Sequence, residues 1–159
     1  MIERFGKNEI DAVVKSINKS SLLSGYTNKF LGGEILQKFE KEFAKFHNCK
    51  YGISVNSGTS ALFVAQLAAG IKKNTKVSIP SITFTATTSQ VIATGGTPNF
   101  IDIDPNSYCM DFNFKNKTKY VIPVHLLGHP CNFDMIKQMK ENQIFVIEDC
   151  AQAMGAKFK

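Results

Sequence analysis

Apolar positions recur along this chain in two rhythms, and the rhythms predict its elements. Over residues 8–19 and 33–47 they fall three and four apart, with Ile35, Leu36, Phe39, Phe43 and Phe46 on one face of the second stretch, which is the spacing of amphipathic helices. Residues 20–32, rich in Ser, Gly and Asn, read as the connection between them. From residue 51 onward, short β-branched runs alternate with longer helical stretches. Strands are predicted over 51–55, 76–79, 99–103, 120–124 and 144–147, and helices over 60–69, 83–94 and 132–142. Pro80-Ser81, Gly95-Gly96-Thr97-Pro98, the polar stretch 105–118 and the turn holding Gly128 and Pro130 punctuate them. Repeated strand–helix–strand units predict a mainly parallel sheet with right-handed crossovers, a three-layer α/β/α arrangement. No internal repeat or low-complexity tract interrupts it, and residues 1–159 are expected to form one domain.

Composition narrows the picture. With 43% hydrophobic and 20% charged residues the chain resembles an ordinary soluble domain, and its apolar runs fall far short of the roughly 20 residues that cross a bilayer. The first residues show no basic stretch followed by an apolar block, so a cytoplasmic location is expected. The charge of +6 comes from scattered lysines, such as Lys72, Lys73, Lys115 and Lys117, with no basic groove interleaved by aromatics. Nucleic-acid and membrane partners are therefore not expected, although the surplus suits an anionic cofactor or a nucleotide-linked substrate. Arg4 is the sole arginine, so a guanidinium clamp on a substrate carboxylate is not expected from the middle of the chain. Cys49, Cys109, Cys131 and Cys150 form no Cys-x-x-Cys pair and read as reduced, mostly buried thiols.

Four segments carry candidate chemistry, each beside a structural alternative. Ser57-Gly58-Thr59-Ser60 joins a predicted strand to a predicted helix, where unpaired amides and the helix dipole favour phosphate; Ser57 is equally suited to plain capping. Phe84, just after a strand among small hydroxyl residues, suits either a planar ligand's face or core packing. Asp149 ends the hydrophobic run 144–147 and is followed by Gln152. A carboxylate there needs a protonated ring, a basic side chain or backbone N–H groups as partner, or else it caps the following turn. Neighbouring Glu148 should point the other way, so the two are not read as an acid–base pair. His125 and His129 have metal-ligand spacing for a helix, but Gly128 and Pro130 argue against a helix, and no metal site is expected. Asp102 and Asp104 read as a strand ending in a proline turn.

In order, these segments resemble the DegT/DnrJ/StrS family of sugar aminotransferases, which use pyridoxal 5'-phosphate (PLP) and have the fold of type I aminotransferases. The resemblance is carried by Phe39-Glu40 with Phe43, residues 57–62, the stretch 80–87 with 95–104, residues 123–130 and Ile147-Glu148-Asp149-Cys150-Ala151-Gln152-Ala153. It implies that the chain is the N-terminal part of an incomplete PLP-binding large domain. It further implies that Gly58, Thr59 and Ser60 hold the cofactor phosphate, Phe84 stacks on the ring, Asp149 pairs with the pyridine nitrogen and Gln152 reaches the phenolic-oxygen edge. Met154 stands where many relatives have His. The implied substrates are a nucleotide-linked keto-sugar and an amino-acid donor, glutamate above all, handled by a homodimer or with a complementing C-terminal chain.

Ten residues follow Asp149, and Lys157 and Lys159 come too soon after it for the family's Schiff-base lysine. No catalytic residue is therefore assigned within 1–159, and the chain alone is expected to be inactive. Two other readings stay open: part of a PLP-dependent sugar dehydratase, in which His replaces the lysine, or a noncatalytic partner-binding protein. An incomplete parallel sheet would expose apolar surface and a strand edge, so association or aggregation is expected.

Overall fold

The computed structural model describes residues 5–19, 32–112 and 118–157. Most of the predicted connection 20–32 and part of the loop 105–118 lie outside them, as do Arg4, Lys115, Lys117 and Lys159. Two compact units emerge, residues 1–54 and 55–159.

The first unit holds two helices. Helix α1 (Lys7–Asn18) begins where the Gly6 N–H donates to Glu9 Oε2 at 2.8 Å. Its apolar stripe of Ile10, Val13, Val14 and Ile17 is exposed. Helix α2 (Glu34–Phe46) has an acid in its first turn and Lys45 in its last, matching the helix dipole. Along it Phe39 and Phe43 lie 5.6 Å apart and Phe43 meets the His47 ring at 4.6 Å. The predicted strand 51–55 does not form. Tyr51 and Ile53 are exposed, and the Ser54 amide and hydroxyl donate to Glu40 Oε1 at 2.8 and 2.7 Å. The polar groups of Ser54 thus bond to an α2 side chain, and no sheet ladder includes them.

The second unit is an α/β fold around a four-stranded parallel sheet. Strands β1 (Lys76–Pro80), β2 (Thr97–Ile101), β3 (Tyr120–Val121) and β4 (Phe145–Val146) lie in the order β2-β1-β3-β4. Helices α3 (Gly58–Ala68), α4 (Thr85–Ala93) and α5 (Phe133–Glu141) complete it. Alternation along the strands assigns the two faces. Val77, Ile79 and Ile122 pack with Leu62 of α3 and with Ala86 and Val91 of α4, joined by Tyr120 and Ile147. Val121 and Ile101 turn the other way and pack with Met139 of α5, joined by Val146. The sheet therefore lies between two helical layers.

Local chemistry sets the element ends. The helix predicted from residue 60 starts at Gly58, because Ser57 Oγ accepts from the Ser60 N–H at 3.2 Å. The helix predicted from residue 83 starts at Thr85, after Phe84 takes an extended backbone. Proline at position 98 fits β2 because this strand is the sheet's edge. Asn132 caps α5 by accepting from the Met135 N–H at 3.1 Å. Tyr120 and Phe145 face each other across β3 and β4 and stack at 5.4 Å.

The chain leaves β1 in one direction to form β2 and returns to its other side to form β3. Such a reversal opens a crevice beyond the carboxyl ends of the strands, where ligands of open α/β sheets bind.

Candidate functional site

Asp149 stands at that carboxyl edge. Its N–H donates to the Pro123 carbonyl at 2.9 Å and its own carbonyl accepts from the His125 N–H at 3.0 Å, a parallel bridge between Val124 and Asp149 beyond the β3–β4 ladder. Backbone pairing on this scale sets the side chain's origin firmly. Its carboxylate oxygens have different partners. Oδ1 accepts from the Ala151 N–H at 3.2 Å, closing the turn after the strand, and Oδ2 accepts from Thr87 Oγ1 at 3.2 Å. Turn capping, one of the two readings of this residue, thus occupies a single oxygen.

Asp149 lines a cleft of about 280 Å³ together with Gly58, Ala61 and Leu62 of α3, and with Cys150 and Met154. Gly58 at the start of α3 and the strand-end carboxylate therefore share one cavity. A β-carbon built on Gly58 would meet nothing within 4 Å, so the start of α3 is open to an approaching group. Thr59 is exposed in the same first turn. Ser60 lies beside it, with Oγ donating to Asn56 Oδ1 at 2.7 Å and 3.0 Å from Ser57 Oγ.

Of the six predicted residues only Gly58 and Asp149 line the cleft; Thr59 and Ser60 stand next to it in the first turn of α3, and Phe84 and Gln152 lie elsewhere. Phe84 sits at the N-cap of α4, one turn ahead of Thr87, with 69% of its surface exposed. That exposure removes core packing as its role. Gln152 is exposed, and its Oε1 accepts from the Leu127 N–H at 2.8 Å, tying the loop after β4 to the 3-10 turn Leu126–Gly128.

A second polar chain reaches the same cleft through Glu148, one of its lining residues. His125 is buried, and its Nδ1 accepts from the Cys131 N–H at 2.9 Å. That bond belongs to a ring carrying its proton on Nε2, which lies 3.4 Å from Glu148 Oε2. Glu148 Oε1 also meets Lys140 Nζ at 2.8 Å. His125 first, and Lys140 with it, hold the Glu148 carboxyl down at about 2. Glu148 and Asp149 thus serve separate networks.

His129 lies apart from His125, lining a separate cavity of about 350 Å³ with Asp104, Cys109 and Asp111. No group of three His, Cys, Asp or Glu side chains is arranged for a metal among the described residues. Asp102 and Asp104 accept from nearby backbone amides and order the turn after β2. The four cysteines are free thiols; Cys109 and Cys131 are buried, whereas Cys49 and Cys150 are exposed rather than buried as expected.

Reading by motif passed over Thr83 and Thr87. Their hydroxyls lie 2.8 Å apart, and Thr87 is fully buried beneath Asp149. The available signal was two hydroxyl residues four apart, flanking Phe84.

The chain is 41% identical over 133 residues to GDP-perosamine synthase of Escherichia coli O157:H7, covering 80% of this chain and 36% of that protein. Among solved structures, the aminotransferase from Psychrobacter cryohalolentis superposes with a TM-score of 0.86 at 34% identity, covering 98% of this chain and 40% of that one. The E. coli GDP-4-keto-6-deoxy-D-mannose-3-dehydratase with bound hydrated PLP gives 0.85 at 26% identity, covering 99% and 42%. The chain thus spans about two fifths of the length of these proteins. Residues 7–159 match the model of the DegT/DnrJ/EryC1/StrS aminotransferase family, to which this chain belongs.

Proposed function

We propose that residues 1–159 supply the N-terminal part of the cofactor site of a PLP-dependent nucleotide-sugar aminotransferase. One observation carries the reading: Asp149 and Gly58 line a single cleft at the carboxyl edge of the sheet. The groups there fit PLP in kind. A carboxylate suits a protonated ring nitrogen, and a helix start suits a phosphate. PLP, when bound, supplies the electron sink that amino-group transfer needs.

Within this reading Asp149 accepts from the ring nitrogen and keeps it protonated. Gly58, Thr59 and Ser60 hold the phosphate at the start of α3. Phe84, an exposed aromatic at the N-cap of α4, covers one face of the ring. Gln152 offers its amide N–H groups toward the phenolic oxygen, since its Oε1 is taken by Leu127. No residue of 1–159 is assigned to the chemical step, and Lys157 is not read as the Schiff-base lysine.

The substrate class, a nucleotide-linked keto-sugar with an amino-acid donor such as glutamate, is supported by the likeness to GDP-perosamine synthase. The working species is a homodimer or a pair with a complementing chain, in the cytoplasm. Among the described residues no helix is long and apolar enough to cross a membrane.

Likeness to the E. coli dehydratase favours a second reading, a sugar dehydratase portion. Borohydride reduction of the PLP-loaded protein with any co-purified partner, followed by mass analysis, separates them: a phosphopyridoxyl-lysine adduct on the partner supports the aminotransferase. An adduct at one lysine of residues 1–159 would overturn the statement that this region lacks the attachment point.

The direct test is titration of the full chain with PLP, followed by absorbance. Asp149→Asn is expected to weaken binding about tenfold or more, the loss of a hydrogen-bonded charge partner. Equal affinity in the wild type and Asp149→Asn would refute the assignment.

A further inference from the structure

Asp149 does not face the cleft unsupported. An ionised carboxylate has no proton to give, so the Thr87 hydroxyl must be the donor in the 3.2 Å contact with Oδ2. A hydroxyl has one proton. In the 2.8 Å contact between Thr83 Oγ1 and Thr87 Oγ1, Thr83 must therefore be the donor. The direction of the whole relay follows: Thr83 to Thr87 to Asp149. Thr87 is fully buried, so no water competes for its proton. With the Ala151 N–H on Oδ1, each carboxylate oxygen is held by one donor and keeps a lone pair for another.

We propose that Thr87, oriented by Thr83, is a positioning residue that locks the Asp149 side chain into one rotamer, with its remaining acceptor capacity directed to a ligand's ring N–H. The geometry joins two elements: Thr87 sits on α4, which follows β1, and Asp149 lies beyond β4, so the relay bridges the strand-order reversal. It also couples the carboxylate to Phe84, whose carbonyl accepts from the Thr87 N–H at 3.1 Å. The ligand role rests on the reading of Asp149 given above; the rotamer lock does not.

The test has one arm without cofactor and one with it. In the isotopically labelled full chain, three-bond couplings to Asp149 Cγ report its χ1. The wild type and Thr87→Ser, which keeps the hydroxyl, are expected to show a single rotamer. Thr87→Val, which keeps the shape and loses the proton, is expected to show averaged couplings. Wild-type couplings in Thr87→Val, or averaging in Thr87→Ser as well, would overturn the lock. Should Thr87→Val fail to fold, Thr83→Ala removes only the orienting donor and is expected to show partial averaging; unchanged couplings there would count against the relay.

In the second arm PLP is titrated into the same proteins. Its apparent Kd is expected to rise about tenfold in Thr87→Val and less than about twofold in Thr87→Ser. Equal affinities across the three, with the couplings averaged as expected, would refute the ligand role alone. Failure of the wild-type chain to bind PLP would instead remove the cofactor reading of Asp149, with the coupling arm still deciding the lock.

Discussion

Glu40 Oε1 accepts twice from Ser54, from its amide at 2.8 Å and its hydroxyl at 2.7 Å. The pair fastens the segment after α2 back along that helix. Gly52, two residues earlier, approaches so closely that a β-carbon there would collide with the Glu40 carbonyl.

Gly52→Ala should therefore displace the segment, since the obstacle is backbone and cannot rotate away. The expected cost is about 1–3 kcal/mol of stability in the first unit, the range for overpacking. Hydrogen exchange at the amides of residues 51–54 is expected to accelerate.

The same pair gives a pH signature. Ser54, through its amide and then its hydroxyl, lowers the Glu40 carboxyl below its usual value of 4.5. A lowered carboxyl contributes stability above its unfolded pKa and loses it as pH falls through the folded one. The Ser54 amide resonance should move below pH 4.5 in the wild type and stay flat in Glu40→Gln; with allowance for solvent screening of this half-buried pair, the stability change should be below about 1 kcal/mol.

Glu148 should respond more strongly to acid. Its carboxyl is held at about 2 against an ordinary 4.5, by His125 first and then Lys140. Its stabilisation is present above pH 4.5 and is lost progressively as pH falls toward 2. With the side chain 30% exposed and allowance made for solvent screening, the amount is on the order of 1–2 kcal/mol. Denaturant midpoints for Glu148→Gln should vary less than those of the wild type across that interval.

Asn132 offers a local test of α5. Replacing it with Ala removes the acceptor for the Met135 N–H and should cost about 1 kcal/mol, whereas Asn132→Asp should retain most of it. Since Ile136 and Met139 of this helix are buried in the second unit, the loss should appear in the cooperative thermal transition of that unit.

Much of this arrangement was legible in residue order, and the exceptions have physical causes. Valines and isoleucines at 76–79 and 144–147 announced the strands, and Asp149 was marked by its place at the end of the last run. The stretch 51–55 alternates as a strand should, yet forms no ladder among the described residues. Alternation states which side chains a strand would bury; it does not name a partner strand. The helix over 58–68 began early because a serine cap acts over one turn, beneath the resolution of apolar periodicity. Thr87 was invisible for a different reason. Its partner lies 62 residues along the chain, and only the parallel packing of β1, β3 and β4 brings the two together.

The bare ring of Phe84 has a practical consequence. The chain contains no tryptophan, so Phe84→Trp would make the sole indole emitter in this chain, at the N-cap of the helix whose Thr87 holds Asp149. Its glow would dim by energy transfer to any pyridoxal chromophore settling nearby, turning an uncovered aromatic into an optical gauge of occupancy.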